Sequence, residues 1–247
     1  YRHIWPFEHA RREASGRDES KPTEEYDDYV NASYVQLLCT SRRYIATQGP
    51  LEATFTDFWV LVYQQNVPVI VMLTREIEGA MVKCGPYWKG EVFGLLRLKL
   101  IKTEGNRKDP ADAIIKWTFL LSHTGYPDIP ARKVVQFQYL EWPDMNVPND
   151  PRGVLNLIHQ VDQAHAMGKK QSPVLLHCSA GVGRTGGFIA VDAVLDGIRR
   201  ELQKKKSVLQ SAGISTRAEP MEVDRQEEKA VEDGEVCFAI GWDFDTS

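Results

Sequence analysis

Nowhere in the 247-residue chain does an apolar run approach the roughly 18 residues needed to cross a bilayer, so the sequence contains no candidate transmembrane helix. The opening stretch YRHIWPFEHARRE lacks the apolar centre of a secretory signal, and no membrane association is expected. Cysteine is scarce. Cys39, Cys84, Cys178 and Cys237 are far apart, with no CxxC pair and no disulfide framework, which points to a reducing, cytoplasmic setting. The six histidines form no HExxH or comparable ligand set, so neither a metal nor another cofactor is expected. A basic excess is missing as well. The net charge of −4 argues against a nucleic-acid partner. That average hides an asymmetry: from Ser207 onward ten acidic residues face three basic ones, a net of −7, so residues 1–206 carry +3.

What is present reads as one globular domain, residues 1–206, followed by an acidic segment, 207–247, whose few large apolar residues predict a solvated, unstructured tail. The stretches Arg11–Asp28 and Thr103–Asp112 read as polar surface loops. Between them Phe55, Phe58, Trp59 and Val62 recur at helical spacing, and Val67–Leu73 follows as a buried strand. Val92–Ile101, Ile114–Leu121 and Lys133–Leu140 each alternate as strands do. A second helix starts near Val154 and stops near Gly168; a third starts near Thr185, with the short buried strand of SPVLLH between them. The mixed order predicts an α/β domain, a mixed sheet with helices on its faces. Nothing in the pattern demands a dimer, and a monomer is expected.

The chemistry concentrates in LHCSAGVGRTGG, Leu176–Gly187. A strand ending at His177 and a helix opening near Thr185 leave a short glycine-spaced loop between them. Gly181 and Gly183 permit backbone conformations in which successive N–H groups point inward, and the helix N-terminus adds its positive dipole end. Such a cradle binds an anion and favours thiolate over thiol at Cys178. Arg184 supplies a planar fork for two phosphate oxygens. A dianion held by its non-bridging oxygens leaves phosphorus facing the sulfur, the geometry for nucleophilic attack. The competing reading is a structural buried cysteine beside a tight turn. If the leaving group is a phenolate, whose acid has a pKa of about 10, a carboxylic acid must reach the same place. Asp144 in WPDMNVP, flanked by Pro143 and Pro148, is the candidate, on a loop free to move as a lid; alone, it would read as a solvated turn residue.

HCSAGVGRTG resembles the signature loop of the cysteine-dependent protein tyrosine phosphatases over all ten residues, and DYVNASYV, YIATQGPL, DFWVLVYQQNVPVIVMLT, KCGPYW and EWPD follow in the family's order. The resemblance runs from Tyr1 to about Leu202 and, beginning inside a motif, implies a catalytic domain shortened at both ends. It implies a twisted mixed sheet of about eight strands flanked by helices, and proteins containing phosphotyrosine as substrates. Cys178 would be the nucleophile, Arg184 the phosphoryl ligand, and Asp144 acid and then base. Ser179, Ala180, Gly181, Val182 and Gly183 would line the phosphate cradle. Thr185 would hydrogen-bond the sulfur, although a plain helix N-cap explains it equally. His177 would support Cys178 from behind, with a satisfied core histidine as the alternative. Glu78 would pair with Arg184, Lys83 would reach the lid, and Tyr1 would line the wall of a pocket deep enough for phosphotyrosine.

Three features depart from that pattern. His3 stands where an acidic or polar acceptor for substrate backbone is usual, and Asn146 where the lid usually has Gly; Asn tolerates left-handed backbone, so lid closure is expected to survive. The family's QTxxQ-like loop, whose Gln positions the hydrolytic water, has no counterpart: Gln203, Gln210 and Gln226 have the wrong surroundings. That absence keeps a second reading open, a phosphotyrosine-binding domain with little turnover.

Overall fold

The computed structural model describes residues 11–13, 29–37, 40, 42–106, 113–166, 168 and 172–211. Tyr1, His3, Cys39, Cys237, most of the 11–28 loop, residues 107–112 and the acidic segment beyond 211 lie outside the described residues. Two compact units divide the chain, Tyr1–Asp196 and Gly197–Ser247.

The strands are β1 (Arg11–Glu13), β2 (Tyr29–Val35), β3 (Tyr44–Thr47), β4 (Val69–Met72), β5 (Ile77–Glu78), β6 (Met81–Val82), β7 (Val92–Phe93), β8 (Leu96–Glu104), β9 (Ile114–His123), β10 (Arg132–Tyr139) and β11 (Val174–His177). The helices are α1 (Phe55–Gln64), α2 (Pro151–Ala166) and α3 (Gly183–Ser211). Nine strands form one sheet in the order β1-β2-β3-β11-β4-β10-β9-β8-β7, and β5 and β6 form a separate hairpin. The expected mixed α/β sheet is present; the strand beyond the expected eight or so comes from pairing inside the stretch read as a loop, where β1 runs antiparallel to β2. The run Val92–Ile101, read as one strand, is two. Gly94 takes φ 59°, a left-handed conformation that suits glycine, and folds β7 back onto β8. The third helix continues through Ser211, so the composition break at Ser207 falls inside α3.

Alternation in the central strands builds the core. Ile70, Met72 and Leu175 face α1, where Phe58, Trp59, Leu61 and Val62 meet them. Val69, Val71, Val174 and Leu176 face the other way, against Leu157, Ile158 and Val161 of α2 and Phe188 and Ile189 of α3. β4 and β11 are therefore buried on both faces, which is why they read as unbroken apolar runs. In the second unit the described part of α3 exposes Ile198, Leu202 and Val208 and pairs Lys204 with Glu201. No helix among the described residues is long and apolar enough to cross a membrane.

The four central strands β3, β11, β4 and β10 run parallel to one another. Their C-terminal ends therefore share one edge of the sheet. Ligands of open α/β sheets bind outside that edge, and the chemistry-bearing side chains of this chain gather there.

Candidate active site

β11 ends at His177, the loop Cys178–Val182 turns, and α3 starts at Gly183. Gly181 turns the loop with φ 80°, and a Cβ there would stand 2.4 Å from the Thr47 carbonyl oxygen, so the loop closes only with glycine at this position. The N–H of Gly181 donates to Cys178 Sγ at 3.2 Å, and the N–H of Gly49, just past β3, holds the Ser179 carbonyl at 2.9 Å. Cys178 is 4% exposed, while Ser179, Ala180, Gly181 and Val182 are half-buried and Gly183 is exposed. The sulfur thus lies at the floor of a loop that opens outward. Cys84 is a different kind of thiol: it is buried, and that burial pushes its pKa up, away from reactivity at neutral pH.

His177 is fully buried between Phe58 and Tyr87. Its Nδ1 is 3.1 Å from the Cys178 carbonyl, which can only accept, so Nδ1 carries the proton. Nε2 then accepts from the Tyr87 hydroxyl at 2.8 Å. Burial lowers the His177 pKa to about 4, so the ring is neutral at pH 7. Unfolded His titrates near 6.5, and the native state resists protonation until about 4. As pH falls from 6.5 toward 4 the unfolded chain gains a proton that the native state does not, and stability declines, by up to about 3 kcal/mol. Urea denaturation at pH 7 and pH 4.5 should show that loss, and His177→Gln should lessen it; equal pH slopes in the two proteins would contradict the assignment.

Arg184, in the first turn of α3, is 6% exposed and receives the convergence of three elements. Nη1 and Nη2 donate to the two carboxylate oxygens of Glu78 at 2.6 and 2.9 Å, an end-on bidentate pair. Nη1 also donates to the Trp142 carbonyl at 3.2 Å, and Nη2 to Asp144 Oδ1 at 3.1 Å. Glu78 comes from the β5–β6 hairpin after β4, and Asp144 from the loop after β10. Burial favours the neutral form of Glu78, yet bonds from Arg184, the Arg75 N–H and Thr74 hold its pKa below the ordinary value. Lys83, 7% exposed, donates to Asp144 Oδ2 at 2.6 Å. That bond, with the charges of Arg184 and Lys83, holds Asp144 below the usual carboxylate range in spite of some desolvation.

The structure thus brings together Cys178, Arg184, Asp144, Glu78, Lys83 and His177. Tyr1 lies outside the described residues. Two details differ from expectation. Thr185 lies inside the first turn of α3 rather than at its N-cap, and its fully buried hydroxyl has no hydrogen-bond partner among the described residues, the sulfur included. The left-handed residue of the lid is Met145, φ 59°, and not Asn146. The Asn146 carbonyl is held by Trp142 Nε1 at 3.0 Å, which leaves the turn to the residue before it. Sequence reasoning missed Tyr87, the Trp142 carbonyl and Thr74. Tyr87 stands inside KCGPYW, but only the fold puts its hydroxyl on His177.

A model of the protein-tyrosine phosphatase family matches residues 1–224. Among curated proteins, the chain is 35% identical over 210 residues to receptor-type tyrosine-protein phosphatase V of Rattus norvegicus, covering 83% of this chain and 11% of that protein. It is 38% identical over 177 residues to receptor-type tyrosine-protein phosphatase F of the same species, covering 70% of the chain and 9% of the relative. Against receptor-type tyrosine-protein phosphatase S of Gallus gallus it is 39% identical over 177 residues, 70% of the chain and 11% of the relative. The chain therefore spans about a tenth of the length of these relatives.

Proposed function

The chain belongs to the protein-tyrosine phosphatase family, and from that premise we propose that it hydrolyses phosphotyrosine in proteins through a cysteinyl-phosphate intermediate. The observation that carries the proposal is the setting of Arg184. Glu78 takes the end of its guanidinium, so the Nε–H edge, which has no partner among the described residues, remains for a phosphoryl group. Asp144 occupies the adjoining Nη2.

A bound phosphoryl dianion takes Nε and Nη2 together and displaces Asp144 from the guanidinium. The loss of that cation, and the arrival of negative charge, raise the Asp144 pKa from its depressed value and let it carry a proton. The Cys178 thiolate then attacks phosphorus: an S–P bond forms, the P–O bond to the tyrosine ring breaks, and Asp144 gives its proton to the departing oxygen. In the second step the Asp144 carboxylate takes a proton from water as the water oxygen attacks phosphorus. The S–P bond breaks, and inorganic phosphate leaves. The unpartnered Thr185 hydroxyl donates to the sulfur as its charge returns. The loop N–H groups of Ser179 to Gly183 hold the equatorial oxygens. His177 keeps the Cys178 carbonyl turned away from the sulfur, and Tyr1 lines the entrance.

The nucleophile, phosphoryl ligand and acid come from a single chain, which supports reading it as a monomer. A free thiol nucleophile is best kept in reducing surroundings, which supports a cytoplasmic setting. Its partners are phosphotyrosine-containing proteins.

Asp144→Asn tests the acid. On aryl phosphates, kcat should fall about 10²-fold, within the usual range for general acid catalysis. In the wild type, the descending limb of kcat, which reports the complex, should lie at higher pH than that of kcat/KM, which reports free protein. The variant should lose this limb. A variant with an unchanged pH profile would remove Asp144 from the reaction.

A further inference from the structure

We infer that Thr74 is a positioning residue for phosphoryl binding, a fixed donor that sets Glu78 and, through it, the orientation of Arg184. The inference rests on reading Arg184 as the phosphoryl ligand. Thr74 follows β4 directly and is 1% exposed. Its hydroxyl donates to Glu78 Oε1 at 2.8 Å, with the Arg75 carbonyl farther off at 3.2 Å. The same carboxylate oxygen takes the Arg75 N–H at 3.1 Å and Arg184 Nη1 at 2.6 Å, so three donors fix it from three directions.

The backbone that carries this hydroxyl is itself anchored. The Thr74 carbonyl accepts from Nε2 of Gln138, a buried glutamine on β10, at 2.9 Å. Arg75 Nε donates to the Leu140 carbonyl at 3.2 Å. Two consecutive residues are thereby tied to the strand that leads into the Asp144 loop. Among the described residues, no strand of the main sheet pairs with the element that carries Glu78. The β5–β6 hairpin is separate from the main sheet, and its Ile77, Met81 and Val82 are 60, 61 and 70% exposed. Without the Thr74 hydroxyl, the carboxylate keeps only the Arg75 N–H as a link to the rigid edge of the sheet, and the end-on pair fixes less firmly which edge of Arg184 faces the phosphoryl group.

The charged groups around Glu78 among the described residues are Arg184 from α3 and Arg75 after β4, with the Asp144–Lys83 pair meeting Arg184 at the Nη2 that Glu78 shares. Removal of the Thr74 bond takes away one of the interactions that keep Glu78 ionised. A protonated Glu78 accepts only one guanidinium bond well, so the loss should deepen as pH falls.

The test is calorimetric binding of inorganic phosphate between pH 5 and 7 by the full chain and by Thr74→Val and Thr74→Ser, with thermal unfolding of each. Thr74→Val should bind phosphate roughly 3- to 10-fold more weakly, the worth of one ordinary hydrogen bond, with a deficit that grows toward pH 5. Thr74→Ser, which keeps the hydroxyl, should bind within about twofold of the unaltered chain. Equal binding by Thr74→Val across the range would overturn the inference. So would equal weakening in both variants in proportion to lost thermal stability, which marks a merely structural role. Failure of the unaltered chain to bind phosphate would instead strike the reading of Arg184 and remove the inference with it.

Discussion

Cys178→Ser should lower turnover of an aryl phosphate by at least about 10⁴-fold while leaving phosphate binding within a few-fold of the unaltered chain. The split follows from the loop. Its shape comes from Gly181 at φ 80° and from the bond between Gly49 and the Ser179 carbonyl, and the bond from the Gly181 N–H to the sulfur can pass to a serine oxygen. Serine is close in size, so the floor of the cradle stays filled and Arg184 keeps its place. What disappears is the nucleophile, because a serine hydroxyl here has no adjacent base: the ring of His177 is engaged by Tyr87 and by the backbone. Steady-state kinetics with p-nitrophenyl phosphate, beside calorimetry with inorganic phosphate, separates the two effects. A serine variant that retained more than about a tenth of the rate would mean the reaction does not pass through this sulfur.

Arg184→Lys should cost about 10³-fold in kcat/KM, although the charge is kept. Arg184 makes four hydrogen bonds in this structure, to both Glu78 oxygens, the Trp142 carbonyl and Asp144. An ammonium is a point charge with three donors and no planar edge, so it cannot hold Glu78 end-on and present two further donors to a phosphoryl group. Glu78 would be left partly unpaired in a site only 14% exposed at its side chain, a further loss of about 1–3 kcal/mol in stability. The kinetic loss should exceed what that instability explains at temperatures where the variant is fully folded. A lysine variant within tenfold of the unaltered kcat/KM would show that bidentate geometry is not what the site uses.

Local pattern carries much of this architecture. β4 and β11 are legible as apolar runs because both faces are covered, and α1 and α2 as helices because one face is. The hairpin of β7 and β8 was not legible, since alternation continues through a two-residue turn marked only by Gly94. β2 and β3 carry Asn31, Ser33 and Thr47 among their apolar residues, and periodicity alone does not single them out.

The site divides in the same way. Cys178 to Arg184 is contiguous, so its chemistry is visible in the order of the letters. Glu78 and Asp144 reach Arg184, and Lys83 reaches Asp144, because parallel strands deliver their C-terminal ends to one edge; Glu78 and Lys83 are legible only through the resemblance to a family. Thr74 and Tyr87 act through other residues, at bonds that exist only once β4, β11 and the hairpin are assembled. The lid shows a limit of reading by position: Asn146 is the residue suited to left-handed backbone, but Met145 takes it while the Asn146 carbonyl accepts from Trp142.

In the proposed mechanism a phosphoryl group is carried on Cys178 and then lost to water. The direct measurement is rapid quenching of the chain with p-nitrophenyl phosphate, following p-nitrophenol release and the mass of the intact protein and of its Cys178 peptide. A phosphoryl adduct should form on Cys178 within the first turnover, decay at the rate of steady phosphate release and be absent from Cys178→Ser. Turnover without an adduct, or with the adduct on another residue, would contradict the mechanism; an adduct that formed once and never decayed would contradict hydrolysis.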